Sequence, residues 1–233
     1  MLKTRNSTYV IIPARSGSKR LEKKNSRIIA GKKLIEWTIE AALSCFDAKN
    51  ICVSTDDDEL LSISESRGLV TNGKRPEGLC RDESTTRDVI LYELDEAKIY
   101  EGDVLILQPT SPLRTSVHIR QAMSLYNEKK ANGVVSVCEC EHPSEWSNTL
   151  PSDFSMESFL KVDQNKRSQD FSKSYRLNGA LYLHDVQKYR STQNPISSSG
   201  TFAYLMDKVS SIDIDDMFDF QIAEFFLFKK SLN

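Results

Sequence analysis

Three short runs of the chain are apolar from end to end: Tyr9-Val10-Ile11-Ile12, Ile51-Cys52-Val53 and Val104-Leu105-Ile106-Leu107. A strand with one wet face alternates apolar and polar residues, so a strand apolar throughout is buried on both faces. Apolar residues at helical spacing come after each run. They are Leu34, Trp37, Thr38, Ala41 and Ala42 after the first, Leu60, Leu61 and Ile63 after the second, and Val117, Ile119, Ala122, Met123 and Tyr126 after the third. A strand-loop-helix rhythm of this kind predicts an α/β domain around a mostly parallel sheet covered on both faces. Further strands are predicted at Gly133–Val137, Gly179–Leu183, Phe202–Met206 and Ser211–Asp215, with helices over Thr86–Ala97 and Met217–Phe228. Asp216 and Asp219 suit the N-terminus of that last helix, where carboxylates meet the positive end of the dipole.

The rhythm stops between residues 139 and 176. The expected organisation is an α/β domain over 1–138 and 177–233, interrupted by an inserted segment, 139–176. That segment is polar, yet it holds Trp146, Phe154, Met156, Phe159, Leu160 and Val162, too many apolar side chains for plain disorder. A loop this long is uncommon in a compact domain unless it has a task. An excursion that packs on a second copy of the chain fits it.

Composition excludes more than it assigns. The net charge of -2 over 233 residues argues against nucleic acid as partner, because phosphate-backbone binders carry a basic excess. The cations cluster locally instead, near residues 15–33. The apolar run Tyr9–Ile12 is too short for a signal-peptide core, and no run approaches membrane-spanning length. Five cysteines without framework spacing suit a reducing cytoplasm. Cys138-x-Cys140 stands without a second pair, and His118, His142 and His184 are scattered, so the histidines are expected on the surface or in loops.

The candidate chemistry falls at strand ends, where open parallel sheets bind their ligands. After the first strand come Arg15, Ser16, Gly17, Ser18, Lys19, Arg20, Lys23, Lys24 and Asn25: small residues and cations in a loop suited to an anion. The loop lacks Walker A spacing and carries no G-x-G-x-x-G. Gln108-Pro109-Thr110-Ser111-Pro112-Leu113-Arg114 is a polar platform stiffened by two prolines. Arg176-Leu177-Asn178 puts a cation and an amide before a strand, and Arg can fork onto a carboxylate. Asp213-Ile214-Asp215 sets two carboxylates on one side of an extended segment. Like charges so placed invite a cation, and Mg²⁺ takes one or two carboxylates plus substrate phosphates.

These four blocks, in this order and across nearly the whole chain, resemble the acylneuraminate cytidylyltransferases, the CMP-sialic acid synthetases. The resemblance implies a three-layer α/β/α, Rossmann-like nucleotidyltransferase fold with a small dimerisation excursion. It implies CMP transfer from CTP to the anomeric hydroxyl of a nine-carbon 2-keto sugar acid, with release of pyrophosphate. It assigns the nucleotide to Ala14, Arg15, Ser18, Lys19, Lys24, Asn25, Arg75, Ser84 and Thr85, and the sugar acid to Gln108, Ser111, Arg176 and Asn178. Asp213 and Asp215 become Mg²⁺ ligands, with Arg15, Lys19 and Asp213 the catalytic residues. The implied protein is a cytoplasmic homodimer with no membrane or nucleic-acid partner. Where the family carries an aromatic pair at the sugar pocket, this chain has Ile196-Ser197, which brings legionaminic acid beside N-acetylneuraminic acid as expected substrate. The alternatives are a cytidylyltransferase for another sugar acid such as Kdo, or a catalytically silent nucleotide-binding homologue acting as a partner protein.

Overall fold

The computed structural model describes residues 8–160, 167 and 171–231. Strands β1 (Thr8–Pro13), β4 (Ile51–Ser54) and β5 (Asp103–Ile106) are the three apolar runs. β1 lies between β4 and β5, parallel to both. Val10, Ile11 and Ile12 are accordingly 0% exposed. Burying one such side chain stabilises the fold by about 1.5–3 kcal/mol.

Successive residues of a strand point to opposite faces. On one face Val10 and Ile12 share a core with α1 (Leu34–Leu43) and α4 (Ser116–Lys129), through Ile35, Ile39, Ile119 and Tyr126. On the other, Tyr9 and Ile11 meet α3 (Thr86–Glu96) and α5 (Val186–Ser191), through Ile90, Leu94, Val186 and Tyr189. The result is the expected three-layer α/β/α arrangement. A third cluster ties the loop after β1 to the closing helix α6 (Met217–Ser231): Leu21, Ile29, Leu34, Leu113, Ile214, Phe220 and Leu227 pack together. α2 (Asp58–Ser66) follows β4, its first turn capped by the Asp57 carboxylate.

The remaining strands are β6 (Gly133–Glu139), β7 (Tyr175–Asp185) and β8 (Thr201–Met206), and the main sheet runs β4-β1-β5-β7-β6-β8. β7 is antiparallel to β5 and β6, while the other pairings are parallel. β7 starts four residues before Gly179 because Tyr175, Arg176 and Leu177 pair with Glu139, Cys138 and Val137. β2 (Ile28–Ile29) and β3 (Lys32–Lys33) form a small separate hairpin.

Two expectations need correction. Ser211–Asp215 is not a strand. After β8 the chain turns, with Ser210 N–H donating to Asp207 Oδ1 (2.9 Å), and then docks on the Gln108–Arg114 loop through Ile214 N–H to Thr110 O (2.8 Å). No ladder forms, yet the alternation survives: Ile214 is buried in the third cluster between two less buried aspartates. His184 is not a surface residue either. It lies within β7, 2% exposed, against the Tyr189 ring. The absent side chain of Gly133 leaves the space its imidazole fills. Asp216 and Asp219 behave as expected: Asp216 Oδ1 accepts from the Phe218 and Asp219 N–H groups, and Asp219 Oδ2 from those of Asp215 and Asp216.

The long connection from β6 to β7 includes one described 3₁₀ turn, Ser144–Trp146. Trp146 meets His142 and Phe171. Leu150, Phe154 and Met156 stand 50%, 75% and 59% exposed. Val162 lies outside the described residues.

Candidate active site

The loop after β1 is held at three points. Ala14 N–H donates to Ser54 O (2.8 Å), fixing the exit from the sheet. Asp56, at the end of β4, accepts from both Ser16 N–H (2.7 Å) and Ser16 Oγ (2.6 Å). Burial alone would raise the Asp56 carboxyl, but the Ser16 bonds, its own backbone N–H and the Arg75 charge hold it below the usual carboxylate range. Asn25, 7% exposed, donates from Nδ2 to Arg15 O (3.0 Å), while its buried Oδ1 has no protein partner. Arg15, Lys19, Arg20 and Lys24 are thereby gathered on one wall of a cleft of about 530 Å³.

The opposite wall is the segment from Arg75 to α3. Arg75 is 5% exposed and reaches back to β4, with Nε donating to Ser54 Oγ (2.9 Å) and Nη2 to Ser54 O (2.5 Å). Burial lowers its pKa, and no carboxylate pairs with it at contact distance among the described residues. Ser84 Oγ donates to Gly78 O (2.8 Å). The Thr85 hydroxyl donates to Asp88 Oδ2 (2.6 Å) and accepts from Asp88 N–H, closing a capping box that starts α3. Asp82 crosses the mouth of the cleft to Arg15 Nη1 (3.1 Å) and Lys19 Nζ (2.5 Å).

The floor joins the Gln108–Arg114 loop to the two aspartates. Gly179 in β7 has φ +73°, and a Cβ there would come within 3.2 Å of both Asp213 Oδ2 and Gln108 Oε1. Asp213 and Gln108 thus converge on one glycine. Burial pushes the Asp213 carboxyl up, Thr110 opposes the rise by a hydrogen bond, and the neighbouring Asp215 charge adds to it. Asp213 Oδ1 is buried without a hydrogen-bond partner. Asp215 pairs with Arg20 (2.8 Å) and, more distantly, with Lys24 (3.9 Å). Lys24 Nζ also donates to Ile214 O (2.6 Å), so it pins the loop after β1 to the aspartate segment. Burial lowers the Lys24 pKa against the pull of Asp215 and Asp213. Behind the platform Arg114, 1% exposed, donates from Nη2 to Thr38 Oγ1 (2.6 Å) and Gln108 O (3.3 Å). A second chamber of about 270 Å³ shares Thr86 and Gln108 with the cleft and continues past Tyr182, Tyr189 and Ile196.

Of the residues singled out from the sequence, Arg15, Ser18, Lys19, Lys24, Asn25, Arg75, Ser84, Gln108 and Asp215 line the cleft together. Asp213 borders it through Gln108, and Thr85 opens on the second chamber. The others stand elsewhere. Ala14 is wholly buried at the strand end, and Ser111 is buried with its hydroxyl unpartnered. Asn178, 1% exposed, is fully engaged in the interior: Oδ1 accepts from Ser136 Oγ (2.6 Å) and Ala180 N–H (3.2 Å), and Nδ2 donates to Ser211 Oγ (2.8 Å). Arg176 does not line the cleft; its Nη1 donates to Leu177 O (3.4 Å). Asp56 and Asp82 belong to the site and were not singled out, while Arg20 and Thr110 line it as members of the two loops named from the sequence. The one available signal was position, since Asp56 follows a strand and Asp82 stands two residues before Ser84.

Five strands in parallel, one reversed, with a cationic loop at the end of the first, make an open α/β domain whose cleft lies at the strand ends. A structure titled CMP:2-keto-3-deoxy-manno-octonic acid synthetase complexed with CTP superposes with a TM-score of 0.70, over 97% of this chain and 100% of that one, at 16% identity. At that identity the match speaks for the fold. Residues 9–224 match the cytidylyltransferase family model, and the chain belongs to that family. It is 39% identical to the N-acylneuraminate cytidylyltransferase of Escherichia coli O18:K1:H7, over 94% of this chain and 52% of that protein. The chain therefore spans about half the length of that relative. It is 32% identical to the CMP-N,N'-diacetyllegionaminic acid synthase of Legionella pneumophila, over 92% of this chain and 93% of the relative.

Proposed function

We propose that the protein transfers CMP from CTP to the anomeric hydroxyl of a nine-carbon 2-keto sugar acid and releases pyrophosphate. The observation that carries this reading is the meeting of two charge sets in one cleft. Arg15, Lys19, Arg20 and Lys24 stand on the loop after β1, and Asp213 and Asp215 close the floor. The names of the two relatives support the sugar class, N-acylneuraminate for one and diacetyllegionaminate for the other.

The residues suggest a division of labour. Four cations match the charge of a nucleoside triphosphate, and their fixed loop supplies charge neutralisation without reorganisation as the sugar hydroxyl attacks the α-phosphorus and pyrophosphate leaves. Asp56 and Asn25 hold that loop in shape. Arg75, Ser84 and Thr85 are assigned to the nucleoside. Gln108, which borders both spaces, places the sugar acid in the second chamber.

Asp213 and Asp215 fit Mg²⁺. Their donors are hard oxygens, and one of them, Asp213 Oδ1, is buried and unpartnered. Mg²⁺ usually takes one or two carboxylates, with substrate phosphates and water as its other ligands, so these two residues would hold it in the company of the nucleotide. When bound there, the ion would supply Lewis-acid neutralisation of the phosphate oxygens. Among the described residues no helix is long and apolar enough to cross a membrane, and all five cysteines are free. We assign the enzyme to the cytoplasm, as a homodimer joined through the 139–176 excursion.

Pyrophosphate release from CTP is the test, with N-acetylneuraminic, legionaminic, pseudaminic and Kdo acids as acceptors. Release above background with a nine-carbon acid is expected. Release with Kdo alone would move the assignment to the eight-carbon alternative, and no release with any acid would favour the silent homologue.

A further inference from the structure

We propose that Asp82 is a gate at the phosphate end of the cleft. Its carboxylate holds Arg15 and Lys19 while no nucleotide is bound, and every anion that takes those cations must displace it, a cost that only a ligand with further contacts recovers. The inference rests on the cytidylyltransferase reading of the cleft.

The geometry is specific. Arg15 and Lys19 belong to the loop after β1, whereas Asp82 comes from the opposite wall, so the two ion pairs bridge the mouth. Both carboxylate oxygens are used, Oδ1 by Arg15 at 3.1 Å and Oδ2 by Lys19 at 2.5 Å. Among the described residues no other ion pair is formed by any of the three side chains. The site's other carboxylates are anchored differently. Asp56 is clamped to Ser16, and Asp213 is packed against Gly179 and Gln108. Among the described residues Asp82 has no side-chain partner other than Arg15 and Lys19, and its side chain is 48% exposed. It is held only by the cations that the nucleotide needs.

Each exposed pair is weak, because water and salt screen it. Breaking them costs every anion the same, so the pairs exclude anions that gain few contacts elsewhere and admit one that gains many. Inorganic phosphate, abundant and small, must break both pairs for little return. A nucleoside triphosphate breaks them and gains contacts along the whole loop. The same carboxylate, returning to Arg15 and Lys19, then competes with pyrophosphate after transfer and speeds its departure.

Isothermal titration without metal ion tests the gate on the wild type, Asp82→Asn and Glu83→Gln, using CTP, pyrophosphate and phosphate. Asp82→Asn is expected to tighten CTP, pyrophosphate and phosphate alike, each about tenfold, because no anion then has to displace a competing carboxylate. Glu83→Gln removes the same charge one residue away and is expected to change each affinity less than about twofold, the scale of a screened surface charge. Unchanged or weaker binding in Asp82→Asn overturns the gate, as does an equal effect of Glu83→Gln, which would signify general repulsion. Asp82→Ser repeats the measurement with a side chain that cannot mimic a carboxylate's shape, and it must follow Asp82→Asn. A wild type that binds no CTP would defeat the underlying reading, while the pyrophosphate and phosphate arms would still decide the gate.

Discussion

Replacing Gly179 by alanine perturbs the site at the one backbone position on which Asp213 and Gln108 converge. Two costs can be worked out. The residue has φ +73°, in the left-handed region, where an L side chain costs roughly 1–2 kcal/mol. The new methyl would lie 3.2 Å from Asp213 Oδ2 and 3.2 Å from Gln108 Oε1, so both side chains must shift by a few tenths of an ångström. Neither can retreat freely, since Asp213 is largely buried and Gln108 belongs to a loop braced by Arg114. The unfolding midpoint should therefore fall by about 2–8 °C, taking 2–4 °C per kcal/mol for a chain of this size. Activity should fall further, because misplacing a reacting group by about 1 Å costs on the order of a hundredfold. A shift of a few tenths predicts a loss of about tenfold in kcat/KM for the sugar acid. CTP affinity without metal ion should stay within about twofold, because the cations of the loop after β1 are untouched. Differential scanning calorimetry, the pyrophosphate assay and nucleotide titration read the three quantities. Wild-type turnover in Gly179→Ala would refute the claim that Asp213 and Gln108 form a single functional floor. A collapse of CTP affinity would show that the glycine acts on the nucleotide side instead.

Two further outcomes are expected. Burial lowers the His184 pKa from 6.5 to about 4, so in the folded state it stays neutral where the unfolded chain binds a proton. Its contribution is complete above pH 6.5 and is lost as pH falls toward 4, up to about 3 kcal/mol in all. Denaturant unfolding from pH 7 to 4.5 should show this slope flattened in His184→Gln, and an identical slope would refute the assignment. The excursion should hold two copies together through Leu150, Phe154 and Met156. Sedimentation is expected to give a dimer for the wild type and a monomer for Phe154→Glu with Met156→Glu, whereas a monomeric wild type would end the proposal.

The fold was legible where burial is two-sided. β1, β4 and β5 announce themselves because every residue meets a helix layer or a neighbouring strand. Legibility failed where tertiary pairing overrides local pattern. Tyr175 and Leu177 extend β7 although they are 50% and 49% exposed, because β6 offers them a ladder. Ser211–Asp215 has a strand's alternation and no strand's partner, so alternation alone could not tell a ladder from a docked segment. His184 looks like an isolated polar residue until Gly133 is found opposite it, a fact of register that the sequence does not contain.

The site divides in the same way, and the division explains which residues were missed. Cations betray themselves by clustering in sequence, and Arg15, Lys19, Arg20 and Lys24 lie within ten residues of one another. The carboxylates that govern them are scattered. Asp56 and Asp82 reach the same loop from two different segments, one to brace it and one to occupy its charges. Asn178 shows the converse error. Its place beside Arg176 marks it as a ligand contact, yet its side chain bonds inward to Ser136, Ala180, Ser211 and Met206. It joins β6 and β7 to the turn after β8, behind the segment that carries Asp213. The motif around Arg176 thus combines an exposed cation with a buried amide, and only the amide's role is fixed by contacts within this chain.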